Sequence, residues 1–440
     1  MKQFKKGKQY SICVVGAGHV GLVAAACFAE LGHKVTCVDQ DKARIDALNR
    51  LRMPFFEPEL EPLVKKNFKN KRLGFSSSLD KAVRDSQAIF IAVGTPPLAN
   101  GAADLTAMEN VARVVAQNLN EYKVIVEKST VPVQTGAKIK ETILRYRKNE
   151  TEFSVVSNPE FLREGKAVYD FFYPDRLVIG TDSGRALALL KDIYAPLEAR
   201  IVATDINTAE LIKHASNSFL ATKISFINAV SRVCDLAGAD VRKVAEAMGM
   251  DKRIGREFLD AGLGYGGFCF PKDLEAFIYI SKKLGYDFGL LREVKQVNDA
   301  QRHYFVDKIK DHLWVLKGKK IAVWGVSFKP DTDDLRFAPS LDVVEYLLQE
   351  GADLAIHDPQ AMKEAAQIFG KKVRFCRDPY SAAKDSDCIC LLTEWRVFCG
   401  LDMAKVKKSM RYPLIADGRN FFDKEQLGAL GFKYIGMGVK

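Results

Sequence analysis

No two of the nine cysteines in this 440-residue chain are spaced CxxC, and most of them sit inside apolar runs. That spacing excludes the common zinc sites and the disulfide framework of a small secreted domain, so no metal is expected and a reduced, cytoplasmic protein is. Apolar runs long enough to cross a membrane are also missing. One stretch, MKQFKKGKQYSICVVGAGHVGLVAAACFAE, has the outline of an export signal, but Gly16, Gly18, His19 and Gly21 interrupt it and a second strand-like segment, KVTCVDQD, follows. A strand, a turn and a helix account for that order better. There is no fixed-period repeat and no low-complexity tract. No nucleic-acid-binding motif accompanies the formal net charge of +11. The basic clusters, four lysines in residues 1–8 and KKNFKNKR at 65–72, are not interleaved with aromatics. They read as solvated surface, with neither nucleic acid nor membrane expected as a partner.

What remains is ordinary for a folded protein of two or three domains: 48% hydrophobic and 28% charged residues. Short apolar runs that end in turn residues alternate with helical patterns. SICVVGAG, KVTCVD, QAIFIAVGTPP, YKVIVEKSTVP and FSVVSNPEF read as strands of a parallel sheet with helices on both faces. The segment NTAELIKHASNSFLATKISFINAVSRVCDLAGAD then keeps helical periodicity for some thirty residues, with no proline and no glycine before Gly238. Such a helix joins domains or pairs with a partner chain. From KKIAVWGVSFKPDTDD the alternation returns in IAVWGV, DLAIHDP, CICLLTEW, PLIADGRN and FKYIGMG. The fold class is therefore α/β: an N-terminal Rossmann dinucleotide-binding domain (1–204), a central long-helix domain (205–300) and a second, Rossmann-like α/β domain (301–440). In CICLLTEW, Cys388 and Cys390 fall on one strand face.

Within this frame GAGHVG (16–21) follows a strand and opens a helix. Its glycines permit the tight turn, the approach of a pyrophosphate and close helix–strand packing, and the helix N-terminus supplies free N–H groups. Asp39 follows Gly21 by eighteen residues, at a strand end, where a carboxylate bonds ribose hydroxyls and repels a 2′-phosphate. NAD is the expected cofactor. VGTPP (93–97) and EKSTVP (127–132) end strands as well. There Ser129 and Thr130 either offer hydroxyls to a ligand or cap a turn. In KHASN, Lys213 and Asn217 share a helix face, as solvated residues or as a pair able to polarise an alcohol. SNPEFLREG supplies Glu160, Arg163 and Glu164, with Glu160 a general base or a salt-bridge anchor. GYGGFCFPKD (264–273) places Cys269 near a predicted helix start at Pro271 and beside Lys272, both of which favour a thiolate. On this stretch alone, nucleophile and packing residue are equally tenable.

Taken in order, GAGHVG, GTPP with ADL, EKSTVP, NPEFLREG, KHASNSF, GYGGFCFPKD and FKPDTDD resemble the UDP-glucose/GDP-mannose dehydrogenase family over nearly the whole chain. KRIGREFLDAGLGYGGFCFPKD resembles the members that act on UDP-glucose; GDP-mannose and UDP-hexosamine are the alternatives, and an NAD- or nucleotide-sugar-sensing regulator is the non-enzymatic one. The resemblance implies that the sugar 6-hydroxyl is oxidised twice, to UDP-glucuronate, by two NAD⁺, with the aldehyde held on Cys269 as a thiohemiacetal and then a thioester. It implies catalytic roles for Lys213, Asn217, Asp273, Glu160 and Thr130. Cofactor contacts are implied for Gly16, Gly18, His19, Val20, Gly21, Asp39, Arg44, Thr95, Ser129, Thr130, Glu164, Lys272 and Arg336. Substrate contacts are implied for Glu160, Phe161, Leu162, Arg163, Lys213, Asn217, Arg253, Phe258, Leu259, Gly264, Tyr265, Gly266, Phe328, Lys329 and Arg419. The glycines around Cys269 are expected to wrap the loop around sugar and nicotinamide. Arg253 is expected to reach a neighbouring subunit of a homodimer or larger homo-oligomer. Three positions depart from the pattern: Glu59 and Gln134 stand where the family usually has glycine, and Phe337 where many members have glutamate. Altered local loop shape is expected at each.

Overall fold

A computed structural model describes residues 7–439; of the basic start, residues 1–6 lie outside the description. The chain gathers into two compact units. One comprises the chain up to Ser216 with Glu275–Gly285, the other Asn217–Leu274 with the chain from Tyr286 onward.

The first unit is built on eight strands: β1 Ser11–Val15, β2 Lys34–Val38, β3 Leu73–Ser76, β4 Ala88–Ile91, β5 Lys123–Glu127, β6 Phe153–Ser157, β7 Leu177–Gly180 and β8 Ile201–Thr204. They lie in the order β3-β2-β1-β4-β5-β6-β7-β8. The first six repeat the doubly wound dinucleotide-binding order, with the reversal between β1 and β4. All pairings are parallel except β6 with β7, which meet antiparallel at Ser157 and Gly180. Alternation within β1 serves both faces: Ile12 and Val14 enter one hydrophobic layer, Cys13 and Val15 the other. The stretch with an export-signal outline folds as β1, a turn and the helix His19–Glu30.

The second unit repeats the order in six strands: β9 Lys320–Trp324, β10 Asp353–His357, β11 Arg374–Phe375, β12 Cys388–Leu391, β13 Leu414–Asp417 and β14 Lys433–Ile435. Their order is β11-β10-β9-β12-β13-β14. Cys388 and Cys390 do share one face, with Ile389 and Leu391 on the other. Strands β3, β7, β8 and β11, which the apolar runs do not announce, are four residues long or fewer.

The long helix runs from Ile206 to Ala237. Asp205 starts it by accepting the N–H of Thr208 at 2.8 Å, and Gly238 ends it in the left-handed region while the N–H of Ala239 returns to the carbonyl of Cys234. Among the described residues no helix is long and apolar enough to cross a membrane.

The three departures from the family pattern share a property. Glu59, Gln134 and Phe337 have φ of 64°, 76° and 52°. The backbone thus keeps the conformation that favours glycine although a side chain is present. Gln134 is exposed, and its N–H is held by Glu210 Oε2 at 2.6 Å, a bond that glycine would retain. Relief of the left-handed strain, roughly 1–2 kcal/mol, outweighs the extra freedom glycine gives the unfolded chain, roughly 0.5–1 kcal/mol. Gln134→Gly is therefore expected to raise the unfolding free energy by about 0.5 kcal/mol, read as a higher denaturation midpoint. A lower midpoint would show that the Gln134 side chain contributes a contact of its own.

Candidate active site

In the first unit the glycine loop joins β1 to the helix His19–Glu30. A Cβ on Gly21 would lie 1.8 Å from the carbonyl oxygen of Gly16, and one on Gly16 would lie 2.5 Å from that of Ala92. These two glycines pack helix against strand. Gly18 differs: nothing lies within 4 Å of its Cβ position, so the backbone there faces open space at a helix N-terminus. That is the cradle a pyrophosphate needs. His19, the first helical residue, has Nε2 2.7 Å from Glu57 and stacks on Phe55; Val20 follows, half-buried. Glu57, which the sequence does not single out, also accepts the N–H groups of Gly165 and Ala167, each at 2.8 Å. It thereby ties the glycine loop to the loop that holds Glu160–Gly165.

Asp39, at the end of β2, accepts from the N–H of Ala17 at 2.7 Å and from Arg44 Nη1 at 3.0 Å on one oxygen, and from the N–H of Asp41 at 2.9 Å on the other. Asp39, singled out for the ribose, and Arg44, implied as a cofactor contact, are therefore brought together and oriented. The hydroxyls of Thr95 and Ser129 stitch backbone: Thr95 donates to the carbonyl of Thr130 at 2.9 Å, Ser129 to that of Val93 at 2.7 Å. Both hydroxyls hold backbone at the carboxyl ends of β4 and β5, while Thr130 is half-buried. Glu164 is half-buried beyond the end of β6.

Glu160, Phe161 and Lys213 are also brought together. Lys213 Nζ is 3.2 Å from Glu160 and 5.2 Å from the centre of the Phe161 ring, and both charged side chains are buried. The second Glu160 oxygen accepts the N–H of Leu162 at 2.6 Å. Arg163 pairs with Asp170, at 2.6 and 2.9 Å. Asn217 follows Lys213 by one turn of the long helix.

In the second unit the helix Cys269–Lys283 starts at the thiol residue itself, with Pro271 as its third position. Cys269 is half-buried, unlike Cys13, Cys37 and Cys390, whose burial pushes their thiols up, Cys13 to about 12. A partly accessible sulfur at a helix N-terminus suits a nucleophile. Lys272 Nζ lies 2.6 Å from Asp273 Oδ1. The other Asp273 oxygen accepts from Asn217 Nδ2 at 2.6 Å, and Asp273 is fully buried.

The loop before Cys269 is closely packed. A Cβ on Gly264 would meet Asn298 Oδ1 at 2.4 Å, one on Gly266 the carbonyl of Phe337 at 2.4 Å, and one on Gly267 the Phe328 ring at 2.6 Å. These glycines let the loop thread closely between parts of the protein. Asn298, buried and absent from the motifs, accepts the Tyr265 N–H at 2.8 Å and donates to the Tyr265 carbonyl at 3.2 Å. Arg419 donates to the carbonyls of Leu392, Phe328 and Gly264, joining β12, the FKPDTDD loop and the cysteine loop. Its own backbone N–H is held by Asp417, whose carboxyl burial pushes up to about 6. Lys329 Nζ sits 5.3 Å from the centre of the Phe328 ring, and Arg336 lies over Phe268 while pairing with Asp334. Phe258 has φ of 66°, and Leu259 is buried. Arg253 stands apart: 89% of its side chain is exposed and it pairs with Asp251.

Three family descriptions match the chain in succession: the NAD binding domain of the UDP-glucose/GDP-mannose dehydrogenase family over residues 10–198, its central domain over 207–300 and its UDP binding domain over 322–424. The chain is 45% identical over 427 residues to the UDP-glucose 6-dehydrogenase TuaD of Bacillus subtilis, covering 97% of this chain and 93% of that protein. A solved UDP-glucose dehydrogenase from Pyrobaculum islandicum superposes with a TM-score of 0.92 at 38% identity, covering 99% of each chain. A UDP-D-ManNAc dehydrogenase from Pyrococcus horikoshii superposes at 0.86 with 26% identity, covering 98% of this chain and 99% of the other.

Proposed function

This chain belongs to the UDP-glucose/GDP-mannose dehydrogenase family, and we propose that it converts UDP-glucose to UDP-glucuronate by two NAD-dependent oxidations on a single cysteine. The observation that carries the reading is Cys269 at a helix N-terminus, on the same helix as Asp273, which grips Asn217 and Lys272. Oxidation of an alcohol to an aldehyde needs no thiol. Oxidation through to an acid without release of the aldehyde does.

The residues divide the work as follows. NAD, when bound, supplies a hydride acceptor for each oxidation; the Gly18 cradle, Asp39 and Arg44 fit its pyrophosphate and ribose, and the loops with Thr95, Ser129 and Thr130 border its place. His19, Val20, Glu164, Lys272 and Arg336 complete the assigned cofactor contacts. Lys213 and Asn217 hold the sugar 6-oxygen and stabilise the alkoxide formed as its proton passes to water, after which hydride leaves carbon and the aldehyde forms. The Cys269 thiolate then adds to the aldehyde carbon, and the resulting thiohemiacetal loses the second hydride to give a thioester. Water adds to the thioester carbon, Glu160 accepts the water proton, the carbon–sulfur bond breaks and the thiolate returns. Phe328, Lys329 and Arg419 are assigned to the nucleotide sugar, together with Phe161–Arg163 and Phe258–Gly266. The domain assignment 1–204 for NAD, 205–300 for the catalytic loop and dimerisation, and 301–440 for the UDP-sugar follows the same division.

A homodimer is part of the proposal. Phe219, Phe226 and Val233 recur every seven residues along the long helix and are each more than half exposed, as is Leu236. A stripe of that length on a helix favours burial against a second copy. The exposed Arg253 is then available to that copy. A cytoplasmic location suits the supply of both nucleotide substrates.

Each UDP-glucose consumed is expected to yield two NADH with no free aldehyde, measured by absorbance against UDP-glucuronate formed. A ratio of one with a released aldehyde would sink the covalent route. Running the assay with GDP-mannose and UDP-N-acetylmannosamine alongside tests the substrate, and faster turnover of either would displace UDP-glucose.

A further inference from the structure

Residues 158–163, which carry Glu160 and Phe161, lie in neither a helix nor a strand. Such a loop holds a site precisely only where side chains from rigid elements brace it. Glu160 is tied twice, to Lys213 at 3.2 Å and to the N–H of Leu162 at 2.6 Å. Phe161 has another brace. The guanidinium of Arg176, the residue directly before β7, lies 4.0 Å from the centre of the Phe161 ring, and Lys213 Nζ lies 5.2 Å from the same centre. Arg176 Nη2 also reaches Ser216 Oγ at 3.5 Å, on the long helix between Lys213 and Asn217. Neither the family resemblance nor the reaction above gives Arg176 a role.

Arg176 is half-buried, and among the described residues no carboxylate pairs with it. Its charge faces the negative face of an aromatic ring instead, an attraction that strengthens as water is excluded. The flat guanidinium also covers the ring in a way that an ammonium does not. The choice of a ring has a chemical consequence. A carboxylate in the place of Phe161 would draw Lys213 away from Glu160 and would exchange protons with the site. The ring accepts two cations and does neither. Arg176 thus links three elements: its own position before β7, the loop through Phe161 and the long helix through Ser216. The loop is tied to the stretch of helix that carries Lys213.

We propose that Arg176 is a positioning residue for the sugar: stacked on Phe161 and bonded to Ser216, it fixes the loop Glu160–Arg163 against the long helix, so that the loop meets the substrate in one arrangement. The inference rests on the assignment of this loop to UDP-glucose made above, and it adds no chemical step.

The test is a double-mutant cycle on kcat/KM for UDP-glucose with Arg176→Met, Phe161→Leu and the two together, beside Arg176→Lys. Arg176→Met is expected to lower kcat/KM by about 10-fold, chiefly through a higher KM for UDP-glucose. KM for NAD⁺ should change by no more than about twofold, because the contacts of Arg176 are with Phe161 and Ser216 and with no assigned cofactor residue. A general loosening of the fold would raise both constants alike. With leucine at position 161 there is no ring to stack on, so the methionine change should then cost no more than about twofold further. Arg176→Lys keeps a cation over the ring and should lose only about threefold. Arg176→Gln, a flat uncharged group, takes the place of the methionine variant in the cycle if that one does not fold. An equal loss from the Arg176 change in both backgrounds, a lysine variant no better than the uncharged one, or an unchanged kcat/KM in the folded uncharged variant would each overturn the role of Arg176. A wild-type enzyme that forms no NADH from UDP-glucose would instead overturn the substrate reading on which it rests.

Discussion

Cys269→Ser should lower turnover with UDP-glucose and NAD⁺ by about three orders of magnitude or more, in line with loss of an activated nucleophile. A serine hydroxyl has nearly the shape of the thiol, and the half-buried first position of the helix Cys269–Lys283 accepts it without a cavity. The difference is chemical. A helix N-terminus lowers an anion's pKa by a modest amount, and Lys272 spends its charge on Asp273 at 2.6 Å. A thiol starts close to ionisation at neutral pH and an alcohol far from it, a gap that a helix N-terminus does not close. An ester formed through serine would also lose its alkoxide more slowly than a thioester loses thiolate. The variant should therefore fold, bind NAD⁺ through the untouched Gly18 cradle and Asp39, and accumulate covalent sugar. Calorimetric binding of both ligands, steady-state NADH formation and intact mass together check this. Turnover close to wild type would mean that Cys269 only packs.

The sequence discloses the parts of this protein that rest on local rules. Apolar runs ending in turn residues announce ten of the fourteen strands among the described residues, because a parallel strand buried on both faces must be apolar throughout. Asp205 and Gly238 bracket the long helix for equally local reasons. What stays hidden depends on tertiary neighbours. Asn298 reads as one more polar residue on a helix, yet its amide closes on both backbone groups of Tyr265 and fixes the cysteine loop. Glu57 lies in a proline-flanked turn and gains its meaning from His19, Gly165 and Ala167, far away along the chain. The glycines of GYGGFC look like flexibility for a ligand, and only the structure discloses that their missing side chains also make room for Asn298, Phe337 and Phe328. Glu59, Gln134 and Phe337 look like changes of loop shape, but the backbone holds the left-handed conformation regardless. Motif reading finds which residues matter; it does not tell which atoms they touch.

Asp273→Asn is expected to cost both stability and catalysis, for separable reasons. The carboxylate is fully buried and has one oxygen 2.6 Å from Lys272 Nζ and the other 2.6 Å from Asn217 Nδ2. An amide of the same shape has a single acceptor oxygen, so one of these donors would face an NH₂ group. If that donor is Lys272, an ammonium only 6% exposed loses the anion beside it, at a cost of about 3 kcal/mol. If it is Asn217, the side chain assigned to the substrate oxygen turns away, and loss of one oriented donor costs about 10²- to 10³-fold in kcat. The melting temperature should fall, and kcat measured well below it should fall by that factor, with KM for NAD⁺ nearly unchanged because the glycine loop and Asp39 are untouched. Adding Lys272→Met removes the stranded charge, so the double variant should regain much of the lost melting temperature. Turnover should stay low, because an amide oxygen holds Asn217 more weakly than the carboxylate does and Lys272→Met also removes an assigned cofactor contact. A folded Asp273→Asn enzyme with near-normal kcat would show that Asp273 neutralises Lys272 and does nothing for the reaction.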